Sequence, residues 1–418
     1  MLKGSKKFML VLAAVCVLLL MFAACSKSDS AGKSAPLAKI SALFATDKPW
    51  VPDFTQKFEK ETGIPVELTL IEYNDIATKF VVSTASGVAA YDIVESDPSL
   101  SGPWVQAGYL EALDSYMEPI INDLIKPDLL AYNGKIYGMP WFMDAFFFLY
   151  NKEILKKAGF DAPPKTWEEY TAICMAIKDK GLLEYPVTMN LRQHEGLNCL
   201  VMCAIMSNGG NLFNGNTPVF NSPQGVQALQ YIVDLNLKYK YVSPGSFSSN
   251  PTAVTTELAQ GRSAFAFTWG TLSGITTDPE KSVVIGQIDV GLFPSKGTSY
   301  TVDGSETISI TSNSKNKDAA WKYIEGMTSK EYTKEVTLKE KVLPPWKSLF
   351  QDKDLNNDNP YMSKFADQLK NMFLRSQESW YGEFSQIMQV EVISALNGEK
   401  TAEKALESAQ AQTLQLIK

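Results

Sequence analysis

The sequence predicts an α/β protein of two lobes, each a mainly parallel sheet flanked by helices, and three observations carry that expectation. Between residues 40 and 94 short apolar strands alternate with helical stretches in a βαβαβ run, the order that builds a parallel sheet covered on both faces. The same alternation resumes between residues 136 and 180. Of the 418 residues, the first 24 read as a leader, and the 394 that remain exceed the roughly 250–300 at which one hydrophobic core stops growing.

The elements follow in order. A strand is expected over 40–45, then a helix to Thr62 stopped by Gly63, then a strand over 64–71 that places Val66, Leu68 and Leu70 on one face. A helix over 73–86 and a strand over 91–94 complete the run. After the Asn133-Gly134 turn, residues 145–150 (AFFFLY) form a continuous apolar run short enough for a buried strand. Thr166 and Glu169 form a capping box that opens a helix to Lys180. Ser222-Pro223 starts a helix through Tyr239 with Val226, Leu229, Ile232 and Val233 in one stripe. Further strands are expected over 263–268, 289–293 and 307–311, and from Tyr361 onward the chain reads as nearly all helix, with Thr401 capping the last. Ligands of such sheets sit beyond the carboxyl ends of the strands.

The amino terminus reads as an export signal. Lys3, Lys6 and Lys7 precede an uncharged apolar run from residue 8 to residue 24, and Ala23-Ala24 stand immediately before Cys25. Phe22-Ala23-Ala24-Cys25 resembles a bacterial lipobox, so residues 1–24 are expected to be a lipoprotein signal peptide and Cys25 the lipidated residue. Residues 25–36 are polar and small, a flexible tether without apolar periodicity. Two acyl chains on Cys25 hold a protein stably, because each buried methylene contributes about 0.8 kcal/mol.

Losing the three leader lysines takes 39 basic side chains to 36 against 46 acids, a net of −10. Three arginines and the single His194 leave few phosphate forks or imidazole ligands, so nucleic acid and histidine-held metals are poor candidates. Cys174, Cys199 and Cys203 are too few for a disulfide framework and read as core residues. No nucleophile elbow, phosphate loop or dinucleotide turn occurs, and His194-Glu195 lacks the second histidine of a zinc helix. The run from Asp352 to Ser363 starts like a calcium loop but has Asn357 for the turn glycine and Ser363 for the closing glutamate. No catalytic residue, metal or cofactor is expected. What remains are aromatics beside acids, among them Trp141 near Asp144, Trp269, and Trp380-Tyr381. Indole faces pack on the C–H faces of a sugar while carboxylates accept from its hydroxyls.

Several stretches together resemble the family 1 extracellular solute-binding proteins, the group that includes maltose-binding protein. They are residues 58–66 (FEKETGIPV), 87–94 (GVAAYDIV), 133–140 (NGKIYGMP), 149–152 (LYNK), 163–169 (PPKTWEE), 261–269 (GRSAFAFTW) and 316–324 (NKDAAWKYI). The resemblance spans nearly the whole mature chain. It implies a two-lobed periplasmic-binding-protein fold (type II-like), with residues 37–143 and 296–343 in lobe one, residues 144–295 and 344–418 in lobe two, and the ligand cleft between them. It implies a monomer on the outer face of the cell membrane that captures a mono- or oligosaccharide and delivers it to the transmembrane permease of an ABC importer. By the same likeness Asp144 is the leading polar contact, Trp269 the stacking tryptophan, and Trp380 or Tyr381 a cleft aromatic. Trp141, Asp97, Trp50, Asp303 and Gly304 complete the expected site. The alternatives are a polyol, a peptide or a small cation as ligand, or a surface carbohydrate-active enzyme working with two carboxylates.

Overall fold

The structure is a computed structural model and describes residues 39–417, apart from residues 86, 88, 89, 270–277 and 360. The signal peptide, the tether, Cys25 and Gly270 lie outside the described residues.

The first strand β1 (Ile40–Ala45), helix α1 (Trp50–Thr62), strand β2 (Val66–Ile71), helix α2 (Tyr73–Thr84) and strand β3 (Ile93–Ser96) form the expected βαβαβ run. Strand β1 pairs in parallel with both neighbours, Ile40 opposite Val66 and Ala42 opposite Ile93. Gly63 ends α1 in a left-handed conformation at φ 71°, where a Cβ would be strained. Helix α3 (Pro98–Gln106) starts at Asp97, whose carboxylate accepts from the Ser99 amide at 2.8 Å.

Strand β4 (Met139–Phe142) lies at the edge of this first sheet, and β5 (Phe146–Asn151) follows after only three residues but belongs to a second sheet. The second sheet adds β6 (Val187–Met189), β7 (Phe265–Trp269) and β8 (Ile288–Gly291) in the order β8-β5-β7-β6. All six residues of β5 are buried, as the run AFFFLY predicts for a central strand. After β9 (Thr301–Val302), strand β10 (Glu306–Ile310) returns to the first sheet, which reads β2-β1-β3-β10-β4.

Both sheets are mixed rather than mainly parallel. In the first, β10 runs antiparallel to β3 and to β4; in the second, β5 runs antiparallel to β7 and β8, and only β7 with β6 is parallel. The cause lies in the connections. A parallel neighbour needs a crossover of a dozen or more residues, whereas Met143–Asp144–Ala145 and Asp303–Gly304–Ser305 pass between the sheets as extended chain. These passages touch, with Ala145 bridged to Asp303 and Met143 to Leu343.

Helices cover the sheets by burying one stripe each. In α4 (Trp167–Asp179) the buried residues are Trp167, Tyr170, Ile173, Cys174 and Ile177. Thr166 caps it by accepting from the Glu169 amide at 3.2 Å, while Glu169 reaches back to the Lys165 amide, one residue earlier than a reciprocal box requires. Helix α5 (Glu195–Ser207) is buried almost all round, and Cys174, Cys199 and Cys203 are free thiols in the core. The acids of the calcium-like run have other tasks: Asp352 caps the helix Lys353–Asp358 and, with Asp354, holds Lys334. Past Tyr361, the two-residue strand β11 (Met372–Phe373) pairs with β9 before α6 (Tyr381–Leu396) and α7 (Ala402–Leu416). That short strand interrupts the expected helix.

Candidate functional site

The strand directions bring one set of loops together. The carboxyl ends of β1, β2 and β3 lead into Asp47-Lys48, Tyr73 and Asp97, and β10, running the other way, starts at the same edge with Glu306. This edge of an open α/β sheet is where solutes bind.

Lys48 is buried there. Its Nζ lies 2.9 Å from Asp47, 3.4 Å from Glu306 and 3.7 Å from Glu95, and the rings of Phe142 and Tyr73 flank it at 5.6 and 5.7 Å. Burial works against its charge, but Glu306, Glu95 and Asp47 outweigh that and push its pKa up. Burial also raises the Glu306 carboxyl well above the usual range; Lys48 opposes the shift and neighbouring Glu95 adds to it. Glu95 accepts from the Ala45 amide at 2.7 Å, which ties this acid to the end of β1.

Arg375 forms a second charged group, two residues past β11. Its Nη2 donates to both oxygens of Asp97 at 3.1 and 3.2 Å, and its Nη1 to Glu195 at 3.4 Å. Tyr73 donates to Asp97 at 2.5 Å, and Tyr381 and Ser385 donate to Glu195. Burial alone would raise the Asp97 carboxyl, but Arg375 and the hydrogen bonds from Ser99 and Tyr73 bring it below the ordinary carboxylate range. Tyr73 opens α2 and Asp97 caps α3, both just past strands of the first sheet, while Glu195 and Tyr381 open α5 and α6, so Arg375 ties the two sheets' edges together.

The chain passages supply the remaining members. The Gly304 amide donates to the Asp144 carbonyl at 3.0 Å, the Asp144 amide to Ser305 Oγ at 3.0 Å, and the Asp144 carboxylate accepts from the Ala145 amide at 2.7 Å. A Cβ on Gly304 would lie 2.4 Å from Cζ3 of Trp269, so the indole is seated against bare backbone. Gly304 does not have positive φ; the glycine is there for room, not for conformational freedom. The Arg375 guanidinium lies 5.9 Å from the Trp269 ring centroid, and Phe146 meets the indole edge-on at 5.2 Å. Asp303, 2 % exposed, accepts from the Ser305 amide, and burial raises its carboxyl to about 7 against the opposing pull of Ser305 and Arg375.

The expected site residues therefore fall into two places. Asp97, Asp144, Trp269, Asp303, Gly304 and Tyr381 gather around Arg375. Trp380 joins them through a cavity of about 270 Å³ on the α5 side, which Arg375 and Tyr381 line together with Met202, Met206 and Phe213, the last at 5.2 Å from the Trp380 ring. Trp50 and Trp141 are buried in the first sheet's core, 5.7 Å from each other, their faces taken up by Phe44 and Phe142. They are packing residues here.

Sequence reasoning missed Lys48, Tyr73, Glu195 and Arg375. It also missed Asn190, which follows β6, is 2 % exposed and has no partner for either amide atom among the described residues. His194 caps α5 by accepting from the Gly196 amide. Among the described residues no cluster of histidine, cysteine and acid could hold a metal ion.

A fold of two helix-covered mixed sheets with polar loops converging where the chain passes between them is that of an α/β solute-binding protein. The chain belongs to the bacterial extracellular solute-binding protein family, whose model matches residues 41–334. This is a family of binding proteins, not of enzymes. The chain is 26% identical over 331 residues to a probable amino-acid ABC transporter periplasmic-binding protein of Sinorhizobium fredii, covering 75% of this chain and 72% of that one. Among solved structures it is similar to maltose-bound MalE3 of T. maritima, with TM-score 0.83 and 24% identity over 90% of this chain and 99% of that chain. It is also similar to an ABC transporter solute-binding protein from Thermotoga lettingae bound with α-D-tagatose, with TM-score 0.80 and 25% identity over 91% and 100%.

Proposed function

We propose that this chain is the receptor of an ABC importer, capturing a mono- or oligosaccharide, or a related polyol, between lobe one (residues 37–143 and 296–343) and lobe two (residues 144–295 and 344–418). In this reading acylated Cys25 holds the receptor at the outer face of the membrane, and closure on the solute presents it to the permease. The observation that carries the proposal is the gathering of an indole, buried carboxyls and hydroxyls at one edge of both sheets. Such a site supplies a flat apolar face for ring C–H groups and acceptors for the hydroxyls around it. The maltose- and tagatose-bound relatives support it by their ligands.

Calorimetric titration of the mature protein with saccharides, alditols and amino acids tests it. Binding of one or more saccharides or alditols is expected. Heat from amino acids alone, with none from any saccharide or alditol, would overturn the sugar assignment.

A further inference from the structure

A group of aromatic rings and acids suits two kinds of solute, a neutral polyol or an organic cation. Here one cation is already seated in it. The Arg375 side chain is 6 % exposed, and both of its terminal nitrogens have carboxylate partners. Its Nη2 donates to both oxygens of Asp97 and its Nη1 to Glu195, while the Trp269 indole lies beside it. The hydroxyls of Tyr73 and Tyr381 donate to the same two carboxylates and orient them. The ion pairs of Asp97 and Glu195 among the described residues both go to Arg375. Taken without Arg375, these groups are a receptor for a guanidinium or amine: two carboxylates on a fork geometry, with an aromatic surface for the cation.

We propose that Arg375 is the specificity-determining residue of the cleft. As an internal cation it satisfies Asp97 and Glu195 and occupies the place beside Trp269, leaving a receptor for uncharged solutes that turns amines and guanidines away. This rests on the cleft being the solute site, as proposed above, but not on the solute being a sugar. Its consequence is that the two carboxylates that could hold a cationic ligand already share a cation from within.

The test is calorimetry and thermal denaturation with agmatine, a small guanidinium carrying an amine, on the wild type, Arg375→Ala and Arg375→Lys. Agmatine is expected to give no heat with the wild type or with Arg375→Lys, whose charge stays in place. Arg375→Ala is expected to bind it saturably and with a raised Tm, a gain of about tenfold or more, the scale of one restored charge-assisted hydrogen bond. Should Arg375→Ala not fold unaided, its refolding yield is read with and without agmatine at a sub-denaturing concentration, and a rise is expected. Agmatine binding to the wild type as tightly as to Arg375→Ala, or no effect of agmatine on binding, Tm or refolding of Arg375→Ala, would overturn the proposal. Failure of the sugar assignment shows separately, as wild-type protein that gives no heat with any saccharide or alditol.

Discussion

Asp97→Ala is expected to lower stability by about 3–5 kcal/mol, the range found when one partner is removed from a buried ion pair. The loss has several sources. Arg375 keeps only the longer contact to Glu195 at 3.4 Å, Tyr73 loses its acceptor, and the amino-terminal cap of α3 goes with the carboxylate. The cap by itself accounts for about 1 kcal/mol. Urea unfolding checks this, with the midpoint falling at unchanged m-value. Asp97→Asn keeps an acceptor for Ser99 but puts an amide nitrogen where Tyr73 donates, and is expected to lose less because the cap remains. An Asp97→Ala protein within about 0.5 kcal/mol of wild type, the range of an ordinary surface substitution, would show that the network does not hold the two edges together.

The second large effect concerns pH. Asp303 has its carboxyl raised from 3.8 to about 7 in the folded protein. Between those values the native state keeps a proton that the unfolded chain has released, so this group makes stability fall as pH rises through the window. The slope is about 1.4 kcal/mol per pH unit, and it flattens above the folded pKa. Asp303→Asn retains an acceptor for the Ser305 amide and removes the ionisation. The variant is expected to match the wild type near the lower end of the window and to become progressively more stable than it toward pH 7. Unfolding midpoints measured for both proteins across that range give the answer, and two parallel profiles would contradict the assignment.

The first half of the fold was readable because its signals are local. Apolar alternation marks β2, Gly63 stops α1, and β1, β2 and β3 are joined by helices that leave parallel pairing as the ready outcome. The direction of the later strands was not readable. Whether β5 and β10 run with or against their neighbours is decided by the extended passages at 143–145 and 303–305, and no residue there announces that they cross between sheets. Helix periodicity likewise carried the reading past Met372-Phe373, where pairing with Thr301-Val302 imposes a two-residue strand.

The site divides along the same line. Asp144, Trp269 and Asp303-Gly304 were named through the resemblance, yet the physical reason for Gly304 appears only when Trp269 is seen packed against it. Arg375 could not be found from pattern: its partners Asp97 and Glu195 are 278 and 180 residues away in sequence, and its own neighbours carry no motif. Scarcity of arginine, read as an argument against nucleic acid, drew attention away from the one that Asp97 and Glu195 hold. Trp50 and Trp141 illustrate the opposite error. An aromatic next to an acid has the same spelling in a core as in a sugar site, and only the neighbours it packs against separate the two.

The central claim is that solute binds where the two sheets' edges meet around Arg375. The crystal structure of the complex with the tightest ligand of the calorimetric panel tests it most directly. The predicted result is an uncharged solute in contact with both lobes, hydrogen-bonded within the group formed by Lys48, Asp97, Asp144 and Arg375, with Trp269 against its apolar face. A solute bound away from Arg375, with those residues unchanged, would contradict it.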